Sequence, residues 1–182
     1  MIPQCENSQV RSISREADYA WLAGVLDGEG ALSVALSTMR SNREYLDPKI
    51  RVYNTDVRMI QKISRIYTQM NVVFFYNFNK RVKSHYKDQL GICVTSQGSC
   101  IKILDAVIPY LANKQDIAKA MREVIHFVKS LPRAGATWSN EYAKDDGFKR
   151  LMDECHKAKV YHIEPSTTRR RAGEILKLES EL

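Results

Sequence analysis

No run of apolar residues in this 182-residue chain approaches the roughly 20 needed to cross a bilayer, so no membrane partner is expected. Cysteine is scarce. Cys5, Cys93, Cys100 and Cys155 contain no C-x-x-C pair, and the four histidines form no H-E-x-x-H. That argues against a zinc site or a disulfide framework, and for reduced thiols in an intracellular, non-secreted protein. The stretch from Glu6 to Arg15 is polar and charged, without an apolar h-region, so no secretory signal is expected. Acidic residues are also in the minority: 21 Asp and Glu face 28 Lys and Arg, for a net charge of +7. A basic surplus suits a phosphate-backbone partner without requiring one. What is present is a globular composition, 44 % hydrophobic and 27 % charged, long enough to bury a proper core in one domain.

Residues 21–30 read Trp-Leu-Ala-Gly-Val-Leu-Asp-Gly-Glu-Gly. On a helix, Ala20, Gly24 and Gly28 fall on one stripe nearly free of side chain, which lets a second helix approach closely. Glycine costs such a helix about 1 kcal/mol against alanine, so the stripe is not cheap. Gly28 and Gly30 are expected to end the helix. The carboxylates Asp27 and Glu29 there meet an already electronegative terminus, which is unfavourable unless a cation compensates. Carboxylate and backbone carbonyl oxygens suit a hard ion such as magnesium. The plainer alternative is a glycine C-cap followed by a solvated acid.

Along the chain, residues 1–13 show no periodicity and are expected to form a loose arm. Ser14 can cap the helix that carries the glycine stripe, with Glu16 and Asp18 in its first turn. From Ala31 the period becomes two: Leu32, Val34 and Leu36 alternate with Ser33, Ala35 and Ser37, a strand with one buried face. Residues 39–48 are polar and include Pro48, which predicts a hairpin connection. A second strand puts Ile50 and Val52 inward and Lys49, Arg51 and Tyr53 outward. Asn54-Thr55-Asp56 closes it and caps a helix marked by Met59, Ile60, Ile63, Ile66, Tyr67 and Met70. The strand–strand–helix order then repeats over 72–80, 85–95 and a helix with Ile101, Leu104 and Val107. A further helix begins near Lys114. Residues 133–147 are expected to be loop, with a short helix around Phe148, Leu151, Met152 and Cys155 and a basic tail at Arg169–Arg171. The fold class is therefore α+β, with an αββαββα core, helices on one face of a four-stranded antiparallel sheet, and extra C-terminal helices. Residues 1–132 make the core and 133–182 an extension of the same domain.

The sheet face left uncovered would carry Ser33, Ser37, Lys49, Arg51, Tyr53, Asn77, Asn79, His85, Lys87 and Gln89. Arg, Lys, Asn and Gln read guanine and adenine edges in the major groove, which admits a two-stranded ribbon. Arg40, Arg43, Lys80, Arg81 and Lys83 at the hairpin tips would neutralise phosphates. Any antiparallel sheet with one wet face also shows polar residues there. The absence of Glu and the scarcity of Asp at these positions favour an anionic partner.

The run LAGVLDGEG, Leu22 to Gly30, resembles the signature of the LAGLIDADG homing endonucleases, and the element order over residues 14–131 resembles the single-motif type. The resemblance implies a saddle-like sheet and a homodimer joined by the motif helix, through Ala20, Trp21, Ala23, Gly24, Asp27 and Gly28. It places the metal acid at Glu29, with the Gly28 carbonyl as a second ligand, and further catalytic positions at Asn54, Arg58 and Lys114. Glutamate at 29 departs from the commoner aspartate. Asn54 stands where some members have glutamine. The implied activity is magnesium-dependent hydrolysis of both strands of a long, near-palindromic double-stranded DNA, leaving short 3′ extensions, with manganese or calcium able to replace magnesium for binding. An intron-encoded or free-standing enzyme is implied rather than an intein. The alternative is an RNA maturase, or a non-cleaving nucleic-acid-binding protein of the same fold.

Overall fold

The computed structural model describes residues 5–38, 44–79, 88–131 and 145–160. Within them, α1 (Cys5–Glu29) leads into β1 (Gly30–Thr38) and β2 (Glu44–Asn54), followed by α2 (Val57–Gln69). β3 (Phe75–Asn79), β4 (Gln89–Val94) and α3 (Gln97–Val107) repeat the unit. A 3-10 turn (Ile108–Tyr110), α4 (Gln115–Ser130) and α5 (Asp146–Val160) complete the order. All strand pairs are antiparallel, in the order β1-β2-β4-β3. The fold is α+β, as the alternating periods predict.

One sheet face is the core. Leu32 and Val34 of β1, Ile50 and Val52 of β2, and Ile92 and Val94 of β4 are buried beneath the helices. The paired register Leu32–Ile50–Val94 puts one residue from each of the three strands in a single row. Helix α2 contributes Ile60, Ile63, Ile66 and Tyr67, and α4 contributes Ile117, Met121, Val124, Ile125 and Val128, both sets at helical spacing. Phe148, Met152 and Cys155 of α5 join the same buried cluster, and the Phe148 ring lies 6.1 Å from that of Phe127.

Four boundaries differ from the sequence expectation. Helix α1 starts at Cys5, so Ser14 is not its cap, and residues 5–13 are helix where a loose arm was expected. Residues 5–13 contain no glycine or proline to stop a helix, although they lack apolar periodicity. Strand β2 starts at Glu44, inside the expected hairpin connection. Leu46 is buried opposite Leu36, and Pro48 pairs with Val34 at a point that β4 does not reach, since β4 pairs only with Ile50–Asn54 of β2. There a residue without an N–H is tolerated. Strand β3 is shorter than predicted because residues 70–72 close α2. The Val72 N–H donates to the Tyr67 carbonyl at 2.9 Å, and Asn71 takes φ 51°, a left-handed value that asparagine accepts readily. β4 begins at Gln89, and residues 85–87 lie outside the described residues.

Candidate active site and sheet face

The motif helix buries Leu22, Ala23 and Leu26 completely. Ala20, Gly24 and Gly28 lie on its exposed side, and a Cβ added at Gly24 or Gly28 would meet nothing within 4 Å. The bare stripe therefore faces outward. The helix runs through Glu29, within a residue of the expected end, and passes directly into β1 at Gly30. Gly30 sits at that junction because a Cβ there would lie 2.6 Å from the Leu26 carbonyl oxygen. The other residues of the expected subunit interface are held within the chain to different degrees. Ala23 is in the core, and Trp21 is half-buried with the Lys62 ammonium 4.1 Å from its ring centre. The Asp27 carboxylate is held within its own chain.

That carboxylate accepts three successive backbone N–H groups from the loop entering α4: Ala112 at 2.7 Å, Asn113 at 3.3 Å and Lys114 at 2.9 Å. Successive N–H groups of this kind make an anion-binding concavity. The Lys114 side chain answers in the other direction. Its Nζ donates to the carbonyl of Leu26 at 2.8 Å, in the last turn of α1, and to that of Gly30 at 2.7 Å, the first residue of β1. Burial pushes the Lys114 ammonium below its ordinary pKa, against the opposing pull of Asp27 and Glu29. The cation demanded by the acidic pair is thus Lys114, in part. Glu29 itself is exposed.

Asn54 and Arg58 form a separate group at the β2–α2 corner. The Asn54 side-chain oxygen accepts the Asp56 N–H at 2.8 Å, and Asp56 caps α2 by accepting the Arg58 N–H at 2.9 Å. The Arg58 guanidinium returns to the same carboxylate at 3.2 and 3.3 Å. Its hydrogen bonds hold the Asp56 carboxyl below the usual range, and Asp56 raises the arginine in turn. Val52 pairs with Gly30, so Asn54 and Glu29 occupy the same end of the sheet.

The uncovered sheet face carries Ser33, Ser37, Lys49, Arg51 and Tyr53, as predicted from the alternation. It also carries an acid that the sequence reading assigned to a loop. Asp47 holds the Lys49 ammonium at 2.6 Å and the Ser37 hydroxyl at 3.1 Å. This face is therefore less uniformly basic than expected. In the row Tyr53–Gly91–Asn77, the Tyr53 ring lies over Gly91, where any Cβ would collide with it, and the Asn77 amide donates to the Tyr53 hydroxyl at 2.8 Å. Arg51 shares the next row with Cys93 and Phe75, and its Nε is buried without a hydrogen-bond partner among the described residues. Asn79 and Gln89 pair at the end of β3 and β4. Arg40, Arg43, Lys80, Arg81, Lys83, His85 and Lys87 lie outside the described residues.

For a divalent cation, Glu29 and the neighbouring Gly28 carbonyl supply oxygen donors of the right hardness, since magnesium prefers carboxylate and water oxygens. They make only part of a coordination shell. Among the described residues no three His, Cys, Asp or Glu side chains gather to complete one.

No protein-family profile and no curated protein sequence matches this chain. Solved structures do. The homing endonuclease I-CvuI, in complex with its target in the presence of calcium, aligns with a TM-score of 0.58 at 18% identity, over 81% of this chain and 83% of that one. The archaeal intron-encoded I-Vdi141I, complexed with DNA, gives 0.55 at 14% over 79% and 83%. The group I intron-encoded I-CeuI, also complexed with DNA, gives 0.55 at 14% over 76% and 66%. The order of elements, the motif helix running into the first strand and these superpositions agree: this chain has the fold of the LAGLIDADG homing endonucleases.

Proposed function

We propose that this protein is a homing endonuclease, acting as a homodimer that hydrolyses both strands of a long, near-palindromic DNA target and leaves short 3′ extensions. The observation that carries the reading is Glu29, an exposed carboxylate at the end of a helix face on which no described residue covers Gly24 or Gly28. Two such faces packed about a two-fold axis would bring two Glu29 side chains together, one for each strand. The DNA-bound neighbours support a DNA partner, and the presence of calcium or magnesium in the I-CvuI complexes supports a divalent ion.

Glu29 and the Gly28 carbonyl would hold that ion. When bound, it supplies Lewis-acid stabilisation for phosphodiester hydrolysis. The chain's own residues do the rest. Two of the three Lys114 ammonium protons are placed on carbonyls, which leaves one for a phosphate oxygen, where it would offset developing negative charge. Arg58 lies at the same end of the sheet and contributes positive charge, while Asn54 shapes the corner that presents it. Tyr53 and Asn77, fixed to each other, and Arg51 would face base edges. Ser33, Ser37, Lys49, Asn79 and Gln89 complete that face.

Cleavage of a randomised double-stranded DNA library with magnesium, by wild type and Glu29→Gln side by side, tests the reading. The expected result is cutting at one family of near-palindromic sites by wild type, with binding but no cutting by the variant. Absence of cutting by either protein, together with tight binding of a structured RNA, would sink it in favour of a maturase.

A further inference from the structure

We propose that Asp27 is a positioning residue for strand cleavage: it holds the turn that delivers Lys114 to the peptide bonds flanking Glu29. The inference rests on the nuclease reading above and adds to it a residue otherwise expected at the subunit interface. Three facts carry it. Asp27 takes the N–H groups of Ala112, Asn113 and Lys114, so one carboxylate fixes three consecutive peptides. Lys114 reaches back to the carbonyls of Leu26 and Gly30, which bracket Asp27 and Glu29. The end of α1 and the turn before α4 therefore hold one another through two side chains lying 87 positions apart in sequence.

The reciprocity has a mechanical consequence. Glu29 lies in the last turn of a helix whose terminal carbonyls would otherwise be free to fray. With Leu26 and Gly30 both held by one ammonium, the backbone that aims Glu29 is fixed on either side. Without Asp27 the 112–114 turn loses its anchor, and Lys114 can leave the carbonyls. Glu29 and the ammonium would then drift apart, although neither residue is altered. Asp27 touches no substrate in this scheme and acts only through Lys114.

The test compares wild type, Asp27→Asn and Asp27→Ala in single-turnover cleavage of the selected DNA site. DNA affinity in calcium and thermal unfolding are measured in parallel. Asp105→Asn, which removes an equal charge from the surface pair with Arg122, is the control. Asp27→Ala is expected to cut slower by on the order of 10²-fold, the cost of displacing a catalytic group by about 1 Å, while DNA affinity changes less than about threefold. Asp27→Asn retains an acceptor oxygen and should recover part of the rate. It also keeps the test valid if the alanine variant does not fold. Wild-type rates in both variants would overturn the proposal alone. So would rate and affinity falling together with the melting temperature, the pattern of a purely structural role. A wild-type chain that cuts no DNA would overturn the nuclease reading and this proposal with it.

Discussion

Single residues differ here in what they are held by, and that decides how each responds to substitution. Gly30 has no room for a methyl group, because its Cβ would press on the Leu26 carbonyl that Lys114 also grips. Gly30→Ala should therefore destabilise the fold by about 1–3 kcal/mol, the usual cost of overpacking, as read from denaturant midpoints. Tyr67 is the opposite case. Its ring is buried, and its hydroxyl has no hydrogen-bond partner among the described residues; burial pushes its pKa upward. Tyr67→Phe removes an unpaired polar atom and should leave stability unchanged or raise it by about 1 kcal/mol. A clear loss would show that the hydroxyl has a partner. Glu29 could be singled out in the sequence because it stands in the motif, and Lys114 only through the family resemblance, which implies a lysine between the last two core helices. The role of Asp27 could not, since its acceptors serve N–H groups 85 to 87 residues away and no local pattern reports such a contact.

At the scale of elements, the amphipathic helices α2 and α4 were legible because each repeats its buried residues with a regular period, and the first residues of β1 for the same reason. The extent of β2 was not. Polar residues and Pro48 read as a turn, yet Leu46 and the pairing with β1 keep the chain extended there. The edge strand β3 was legible as a strand but not in its exposure. Tyr76 and Phe78 lie on the core side of the sheet, beyond the reach of the helices, and remain 54% and 61% exposed. The glycine stripe of α1 gives a two-sided prediction. Gly24→Ala should stabilise the isolated chain by about 1 kcal/mol through helix propensity, because nothing crowds the new methyl group. The same change should weaken self-association, seen as a raised dissociation constant in sedimentation equilibrium. Stability loss in dilute protein would mean that the stripe is already covered within the chain. The Asn54–Asp56–Arg58 corner predicts a pH response. Arg58 holds Asp56 below its ordinary 3.8, so the stabilisation is present above that value and lost as pH falls through the lower, folded-state value. Asp56→Asn should flatten the acid limb of the stability curve below about pH 4 without changing it near neutrality.

The described residues form a one-sided sheet: helices with Cys100 and Cys155 on the core side, and on the other side a mixed polar face in which Cys93 shares the Arg51 row. Cys93, Cys100 and Cys155 are free and buried, and burial raises all three, Cys100 and Cys155 to about 12. At about pH 8 these thiols should resist Ellman's reagent in the native protein and react on unfolding, since the thiolate is the reactive form. Fast labelling of any of them in native protein would contradict the packing described. The same one-sidedness places Glu29 at one end of an uncovered face, and under the proposed reading each chain would supply one acid, for one strand. The most direct measurement of that claim uses a heterodimer purified from co-expressed wild-type and Glu29→Gln chains, with a supercoiled plasmid carrying the selected site. The account predicts nicked circles from the heterodimer, linear plasmid from the wild-type pair and no product from the variant pair. Linear plasmid from the heterodimer at the wild-type rate would contradict it, because one Glu29 would then suffice for both strands.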